Sequence, residues 1–88
     1  MQAEVIMYST RFCPYCMRAR KLLKNKNIIF NEILIGSNRI LRQEMEQKSG
    51  QTSVPQIFIN GQAIGGYDDM AQLNFDGKLD TLLLLKEA

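Results

Sequence analysis

The sequence predicts a single α/β domain with one four-stranded mixed sheet and helices on both faces of that sheet. Three features support this prediction: an apolar strand followed by an amphipathic helix, a second strand–helix pair, and a hairpin signal followed by two helical segments. The predicted order is β-α-β-α-β-β-α-α. Since a β-α-β unit joins parallel strands by a right-handed crossover, we expect a parallel first pair, with the hairpin adding antiparallel strands to the same sheet.

Length, charge and the distribution of apolar residues limit the kinds of protein that this sequence can be. The 88 residues allow one domain, residues 1–88, and the net charge of +2 is too small to indicate a nucleic-acid partner. The longest apolar run, residues 82–85, is far shorter than the roughly 20 residues of a membrane span. The first nine residues lack the basic start and long apolar core of a secretory signal. We therefore expect a cytoplasmic protein without a membrane partner, with a monomer as the default.

The first strand and helix are predicted from a change in hydrophobic periodicity. The run VIMYS, Val5–Ser9, is short, apolar and rich in residues that favour strands. From Pro14 onward, apolar residues recur at helical spacing, and they share one face of the predicted helix: Cys16, Ala19, Leu22 and Leu23.

The remaining elements follow in order. The run IIFNEILI, residues 28–35, predicts a second strand, and residues 38–49 predict a polar helix. In PQIFINGQAIGG, two strand-like runs flank Asn60-Gly61, the preferred pair for a two-residue type I′ hairpin. The last two predicted helices cover residues 67–76 and 78–87.

Cys13 and Cys16 are the only cysteines, and they enclose a proline and a tyrosine in CPYC. Pro14 suits the first position of a helix, which makes Cys13 the N-cap and directs its sulfur toward the free amides of Tyr15 and Cys16. Lowering a thiol pKa by about three units takes roughly 4 kcal/mol. The helix dipole contributes only ~0.3–1 kcal/mol, or ~2 when partly buried. Direct N–H···S⁻ bonds are therefore needed, with Arg11 and the basic helix as a second source of positive potential.

The other uses of a cysteine pair fit this chain less well. A closed zinc site takes four nitrogen or sulfur ligands, whereas the chain has two cysteines and no histidine. A structural disulfide between Cys13 and Cys16 would close a very small loop and remove little entropy from the unfolded chain. We therefore expect no metal and a redox-active pair.

Two later segments form a second group of candidates. In TSVPQIF, Pro55 opens a strand after Val54; a cis bond would turn the Val54 backbone toward the sulfurs, where it could pair with an extended peptide. A trans proline at the start of an edge strand explains the same residues equally well. In GGYDD, residues 65–69, a glycine turn begins a helix whose free amides could bind a small carboxylate, although a plain capped loop has the same composition.

Together these segments resemble a glutaredoxin, particularly the small bacterial dithiol type. The resemblance covers nearly the whole chain, and it is carried by CPYC at a helix start, SVPQIFI about forty residues later, and NGQAIGGYDD. It implies a thioredoxin fold, a cis Val54–Pro55 bond, and glutathione as co-substrate without a permanently bound cofactor.

The resemblance also implies roles for single residues. Cys13 matches the nucleophile and Cys16 the resolving thiol. The positions that match glutathione-binding residues are Tyr15, Arg42, Ser53, Val54, Pro55, Gly66, Tyr67, Asp68 and Asp69. Two positions depart from the family pattern. Thr10 stands where a lysine is common, so either Arg11 supplies the charge or the anion binds more weakly, and Ser53 replaces the usual threonine.

The implied function is glutathione-dependent reduction of protein disulfides and of glutathione mixed disulfides. The partners would be glutathione and disulfide-bonded or glutathionylated proteins. One alternative is a redoxin supplied by thioredoxin reductase; such proteins usually carry a tryptophan in place of GGYDD, and this chain has none. A second is a non-enzymatic iron–sulfur carrier, which typically has CGFS where this chain has CPYC.

Overall fold

The computed structural model describes residues 2–84 and contains four strands and four helices within them. In chain order, these elements are β1 (Val5–Ser9), α1 (Pro14–Asn25), β2 (Asn31–Leu34), α2 (Arg39–Ser49), β3 (Gln56–Ile59), β4 (Gln62–Gly65), α3 (Tyr67–Phe75) and α4 (Lys78–Leu84). The predicted element order is confirmed. The end of the last predicted helix, residues 85–87, lies outside the described residues.

The strands form one mixed sheet in the order β2-β1-β3-β4. β1 pairs with β2 in parallel, and β3 pairs with both β1 and β4 in the antiparallel sense. Ser9 lies opposite Leu34, and Tyr8 lies opposite Gln56. The loop that follows β1 therefore lies between the end of β2 and the segment that precedes β3.

Alternate residues of β1 enter different hydrophobic cores, as expected for a sheet covered on both faces. α1, α3 and α4 cover one face, and α2 covers the other. The first core contains Ala3, Val5, Met7, Ala19, Leu23, Ile28, Ile57, Ile59, Met70, Leu79 and Leu83. The second contains Tyr8, Ile35, Met45 and Phe58. The predicted inner face of α1 is confirmed, with Leu22 partly rather than fully buried.

β2 is shorter than the sequence predicts, because its first apolar residues do not enter the sheet. Asn27 has a positive φ of 60°, and the Ile28 N–H donates to the Leu23 carbonyl at 3.0 Å, which closes the end of α1. Ile28 is buried in the first core, whereas Ile29 is 82% exposed. The apolar run is thus divided between a helix end and a strand that begins at Asn31.

The connections between the elements agree with the turn residues in the sequence. Asn60 and Gly61 both have positive φ, at 51° and 80°, as a type I′ hairpin requires. The Asn38 side chain accepts a hydrogen bond from the Leu41 N–H at the start of α2, and Gly50 ends that helix in the left-handed conformation. Within residues 2–84, every helix is too short or too polar to cross a membrane.

Candidate active site

The two cysteines lie at the start of α1, above the carboxyl end of β1. Cys13 is the N-cap residue in an extended conformation, Pro14 is the first helical residue, and the Met17 N–H donates to the Cys13 carbonyl at 3.0 Å. Both cysteines are free thiols. Cys13 is partly exposed, whereas Cys16 is completely buried. Only the first sulfur is therefore open to a large disulfide substrate.

The surroundings of Cys13 favour its thiolate. Burial opposes ionisation, but the Cys16 N–H, the Cys16 thiol, the Tyr15 N–H and the positive charge of Arg20 outweigh it, so that the pKa of Cys13 is lowered. In the reduced protein its sulfur lies 3.9 Å from the Val54 carbonyl. The two amides are those expected from the N-cap position, and the positive charge comes from Arg20, which belongs to the basic helix that the sequence predicts, together with Arg11, as a source of positive potential.

Cys16 has the opposite character. Its pKa is raised to about 11, because burial and the Cys13 side chain, which raise it, outweigh the Thr10 N–H and Arg20, which lower it. At neutral pH the pair therefore consists of one thiol inclined to ionise and one that keeps its proton. This difference in pKa suits a nucleophilic thiolate paired with a second thiol that reacts in a later step.

Arg20 is held in place by a group of polar contacts beneath the cysteines, which we call the Arg20 bracket: Arg20, Glu32, Ser9 and the Thr10 carbonyl. The Arg20 Nε lies 2.5 Å from the Glu32 carboxylate, and its Nη2 donates to the Thr10 carbonyl at 3.0 Å. The Ser9 hydroxyl donates to the same carboxylate oxygen at 2.5 Å. The bracket therefore joins α1, β2 and the loop whose Thr10 N–H faces Cys16.

A groove of about 340 Å³ lies beside the sulfurs on the β3 side of the sheet, and we call it the β3-side groove. Eight of the nine residues predicted to contact glutathione line it: Tyr15, Ser53, Val54, Pro55, Gly66, Tyr67, Asp68 and Asp69. The structure thus brings together segments that are about forty residues apart in the sequence. The Val54–Pro55 peptide bond is cis, as the family resemblance implied.

The β3-side groove is lined by aromatic rings on one side and carboxylates on the other. The Tyr15 and Tyr67 ring centroids are 6.5 Å apart, and the Arg18 guanidinium lies 5.3 Å from the Tyr15 centroid. At the other side, the Asp69 carboxylate accepts a hydrogen bond from the Gly66 N–H at 3.0 Å, while Asp68 is exposed. The groove can therefore receive an extended ligand that carries a positive group near Asp68.

Two residues at the rim of the groove differ from the sequence prediction. Arg42 lies outside the lining, and its Nη1 donates to the Thr52 carbonyl at 2.9 Å, next to Ser53. Gln51 lines the groove but was missed, because an isolated polar residue in a loop carries no distinctive signal. Its side chain accepts a hydrogen bond from buried Gln56, whose Nε2 also donates to the Ser53 carbonyl at 2.9 Å. Contacts from α2 and β3 therefore support the loop.

The reactive groups of the site are the two thiols, and the groups that act on them include backbone amides and Arg20. Among residues 2–84, no cluster of three or more His, Cys, Asp or Glu side chains could hold a metal ion. The chemistry that these groups can perform is nucleophilic attack by a sulfur anion followed by attack from a second thiol.

A family model described as Glutaredoxin matches residues 5–64, a span that contains both cysteines and the cis-proline loop. The chain belongs to the glutaredoxin family. It is therefore a thiol–disulfide oxidoreductase with a thioredoxin-like α/β fold.

Individual relatives agree with this assignment over nearly the whole chain. Glutaredoxin 3 of Escherichia coli K12 is 49% identical over 81 residues, which cover 92% of this chain and 98% of the relative. A glutaredoxin of Pseudomonas aeruginosa is 47% identical over 79 residues, covering 90% and 94%.

Solved structures show the same fold. The solution structure of a glutaredoxin from Brucella melitensis has a TM-score of 0.84 at 44% identity, covering 99% of this chain and 95% of that one. The crystal structure of a buckwheat glutaredoxin–glutathione complex has a TM-score of 0.85 at 30% identity, covering 92% and 76%.

Proposed function

We propose that this protein uses glutathione to reduce protein disulfides and glutathione mixed disulfides, with Cys13 as nucleophile and Cys16 as resolving thiol. The observation that carries the proposal is the contrast between the sulfurs: Cys13 is accessible with a lowered pKa, and Cys16 is buried with a raised one. Only one of them can begin the reaction with an external disulfide at neutral pH.

The first step transfers a disulfide bond to the enzyme. The Cys13 thiolate attacks one sulfur of the substrate; a Cys13–substrate disulfide forms, and the other substrate sulfur leaves as a thiolate that takes up a proton. With a protein disulfide, Cys16 gives up its proton and attacks the Cys13 sulfur. The Cys13–Cys16 bond then forms, and the reduced substrate leaves.

The electrostatic coupling of the two sulfurs supports Cys16 as the second thiol to react. The Cys13 thiolate is one of the groups that raise the pKa of Cys16, and this contribution ends when Cys13 enters a mixed disulfide. The Thr10 N–H and Arg20 remain, and both favour the Cys16 anion. Formation of the first mixed disulfide therefore lowers the pKa of the second thiol at the point where its attack is needed.

Glutathione restores the dithiol and also provides a shorter route. One glutathione thiolate attacks the Cys13–Cys16 bond to give a Cys13–glutathione disulfide, and a second releases oxidised glutathione. With a glutathionylated protein, Cys13 takes the glutathione directly and releases the protein thiol, so Cys16 is not required.

We place glutathione in the β3-side groove. The carbonyl and N–H of Val54 would pair with the backbone of its cysteine, with the Tyr15 and Tyr67 rings beside it. The exposed Asp68 suits the amino group of the γ-glutamyl end, and the amides at the start of α3 suit its carboxylate. The Arg42 guanidinium donates to the carbonyl of Thr52, the residue before Ser53 of the groove lining. Arg42 would therefore support this loop near the glycine end of glutathione.

The thiols and the groove all belong to one chain, so the proposed reaction needs no second copy. We accordingly propose a monomer in which residues 1–88 act as one domain. Two free thiols that glutathione must keep reduced suit the cytoplasm.

The test is turnover of the mixed disulfide of glutathione and 2-mercaptoethanol, with glutathione and glutathione reductase as the electron supply. We expect NADPH consumption that depends on both this protein and glutathione. If thioredoxin reductase supports turnover and glutathione does not, the electron donor is thioredoxin reductase rather than glutathione. The absence of turnover with either donor would overturn the proposed activity.

A further inference from the structure

A second groove adjoins Cys13 on the side away from the β3-side groove, and we call it the β2-side groove. It has a volume of about 690 Å³ and is lined by Thr10, Arg11, Phe12, Cys13, Leu34 and Gly36. It lies over the ends of β1 and β2, where Ser9 and Leu34 are partners in the sheet. The nucleophile thus stands between two grooves, and the proposed glutathione contacts use only one of them.

The side chains of this groove are unusually apolar for an exposed surface. Phe12 is 85% exposed and Leu34 is 45% exposed, and both flank the reactive sulfur. Neither side chain belongs to the two hydrophobic cores described above, so neither is needed to fill the interior. Exposed apolar residues grouped around a reactive centre are typical of surfaces that bind another molecule.

The two grooves also differ in charge. The β3-side groove contains the carboxylates of Asp68 and Asp69, whereas the β2-side groove contains the guanidinium of Arg11 and no acidic side chain. Glu32, two residues before Leu34, is held by Arg20 and the Ser9 hydroxyl and is therefore already neutralised. The β2-side groove accordingly favours a ligand with an apolar part and a negative charge.

We propose that the β2-side groove docks the polypeptide around the reactive disulfide of a protein substrate, with an apolar side chain against Phe12 and Leu34 and a carboxylate at Arg11. Glutathione is small enough to remain on the β3 side, but a protein whose disulfide reaches Cys13 must also cover the surface on the other side of the sulfur. The inference rests on the thiol–disulfide exchange proposed above and adds the sequence preference of its protein substrates.

The test compares peptides with a small substrate. Two synthetic peptides, each closed by one disulfide, have Leu and Asp or Leu and Lys beside their cysteines and are otherwise identical. For each enzyme variant, kcat/KM for a peptide is divided by kcat/KM for the mixed disulfide of glutathione and 2-mercaptoethanol. This ratio separates docking on the β2 side from the chemistry of the thiols.

The charge is tested by Arg11→Glu, with Lys24→Glu at the far end of α1 as the control with the same change of net charge. We expect Arg11→Glu to lower the ratio for the Asp peptide and raise it for the Lys peptide, each by about threefold, as an exposed ion pair allows. The apolar contact is tested by Phe12→Ser, with Phe75→Ser as the matched control because Phe75 is 87% exposed. Loss of about 50 Å² of apolar contact predicts a roughly tenfold lower ratio for both peptides.

Two results would overturn the inference: an unchanged preference between the Asp and Lys peptides in Arg11→Glu, or equal ratios in Phe12→Ser and Phe75→Ser. Failure of the wild-type protein to turn over the small mixed disulfide would be a different result. It would remove the proposed function, and the docking inference with it.

Discussion

Replacing Arg20 by Gln tests whether the Arg20 bracket sets the reactivity of the dithiol. Arg20 acts on both sulfurs, and its positive charge favours each anion. The substitution removes this charge and leaves the Glu32 carboxylate without its cationic partner. Both changes disfavour a second negative charge nearby, so Cys13 should hold its proton to higher pH.

The size of the effect follows from the helix geometry. Cys13 and Arg20 are seven residues apart, about 10 Å along the axis of α1, and the guanidinium reaches back to the Thr10 carbonyl, so the two charges are separated by about 10 Å or less. At that distance a unit charge contributes about 0.4–1.7 kcal/mol for effective dielectric constants between 80 and 20. This range corresponds to a two- to fifteenfold fall in the ratio of thiolate to thiol at a fixed pH. Because the Arg20 and Glu32 side chains are only 19% and 23% exposed, the free energy of unfolding should also fall by about 1–3 kcal/mol.

The assay is the pH dependence of the alkylation rate of Cys13 by iodoacetamide, measured in proteins that carry Cys16→Ser so that one thiol reacts. Lys21→Gln, an exposed position on the same helix, is the control for net charge. Arg20→Lys should retain most of the effect on Cys13. The double variant Arg20→Gln/Glu32→Gln should have a Cys13 pKa between those of the wild type and Arg20→Gln, because the unpaired carboxylate is gone. A profile for Arg20→Gln that coincides with that of Lys21→Gln would refute the role of the bracket.

Three further predictions follow from the site. Cys13→Ser should abolish exchange with all disulfides, whereas Cys16→Ser should still remove glutathione from a glutathionylated protein; full deglutathionylation by Cys13→Ser would reverse the assigned roles. Because Cys16 has a pKa of about 11 in the folded protein and about 8.5 when unfolded, the folded state retains the proton longer, so stability should be lost as pH rises through that interval. Denaturant unfolding should show a larger loss in the wild type than in Cys16→Ala, in which the raised pKa values of Tyr8 and Lys48 still contribute. Finally, Gly65 has φ of 116°, and a Cβ there would lie 2.2 Å from the Asp69 carboxylate, so Gly65→Ala should destabilise the protein by about 1–3 kcal/mol and weaken glutathione binding. Gly61→Ala is the matched control because its φ is also positive and its Cβ would meet nothing within 4 Å; equal losses in the two variants would show that the Asp69 contact is unimportant.

The features that could be predicted from the sequence depend on local chemistry. The start of α1 is set by Cys13 as N-cap and Pro14 as first helical residue. The hairpin is set by Asn60-Gly61, because these two residues readily adopt the positive φ that its turn requires. The inner face of α1 follows from helical spacing alone. The grouping of the groove residues came from the family resemblance, since no local rule relates Tyr15 to Asp68.

The features that could not be predicted depend on contacts between distant segments. The pairing of Arg20 with Glu32 follows from the parallel packing of β1 beside β2, and among several basic residues in α1 nothing in the sequence distinguishes Arg20. The sequence predicts too early a start for β2 because Ile28 and Ile29 have the composition of strand residues, although Ile28 closes α1 and Ile29 faces solvent.

The central claim is that the first turn of α1 and the charge of Arg20 keep Cys13 ready as an anion while Cys16 remains protonated. The most direct measurement is a pH titration of the ultraviolet thiolate absorbance of the reduced protein, repeated on Cys16→Ser. The structure predicts a first ionisation below the ordinary cysteine value of about 8.5 in both proteins, and a second one near 11 in the difference between the wild-type and Cys16→Ser curves, in which the ionisation of the three tyrosines cancels. A first ionisation at or above about 8.5 in both proteins would contradict it.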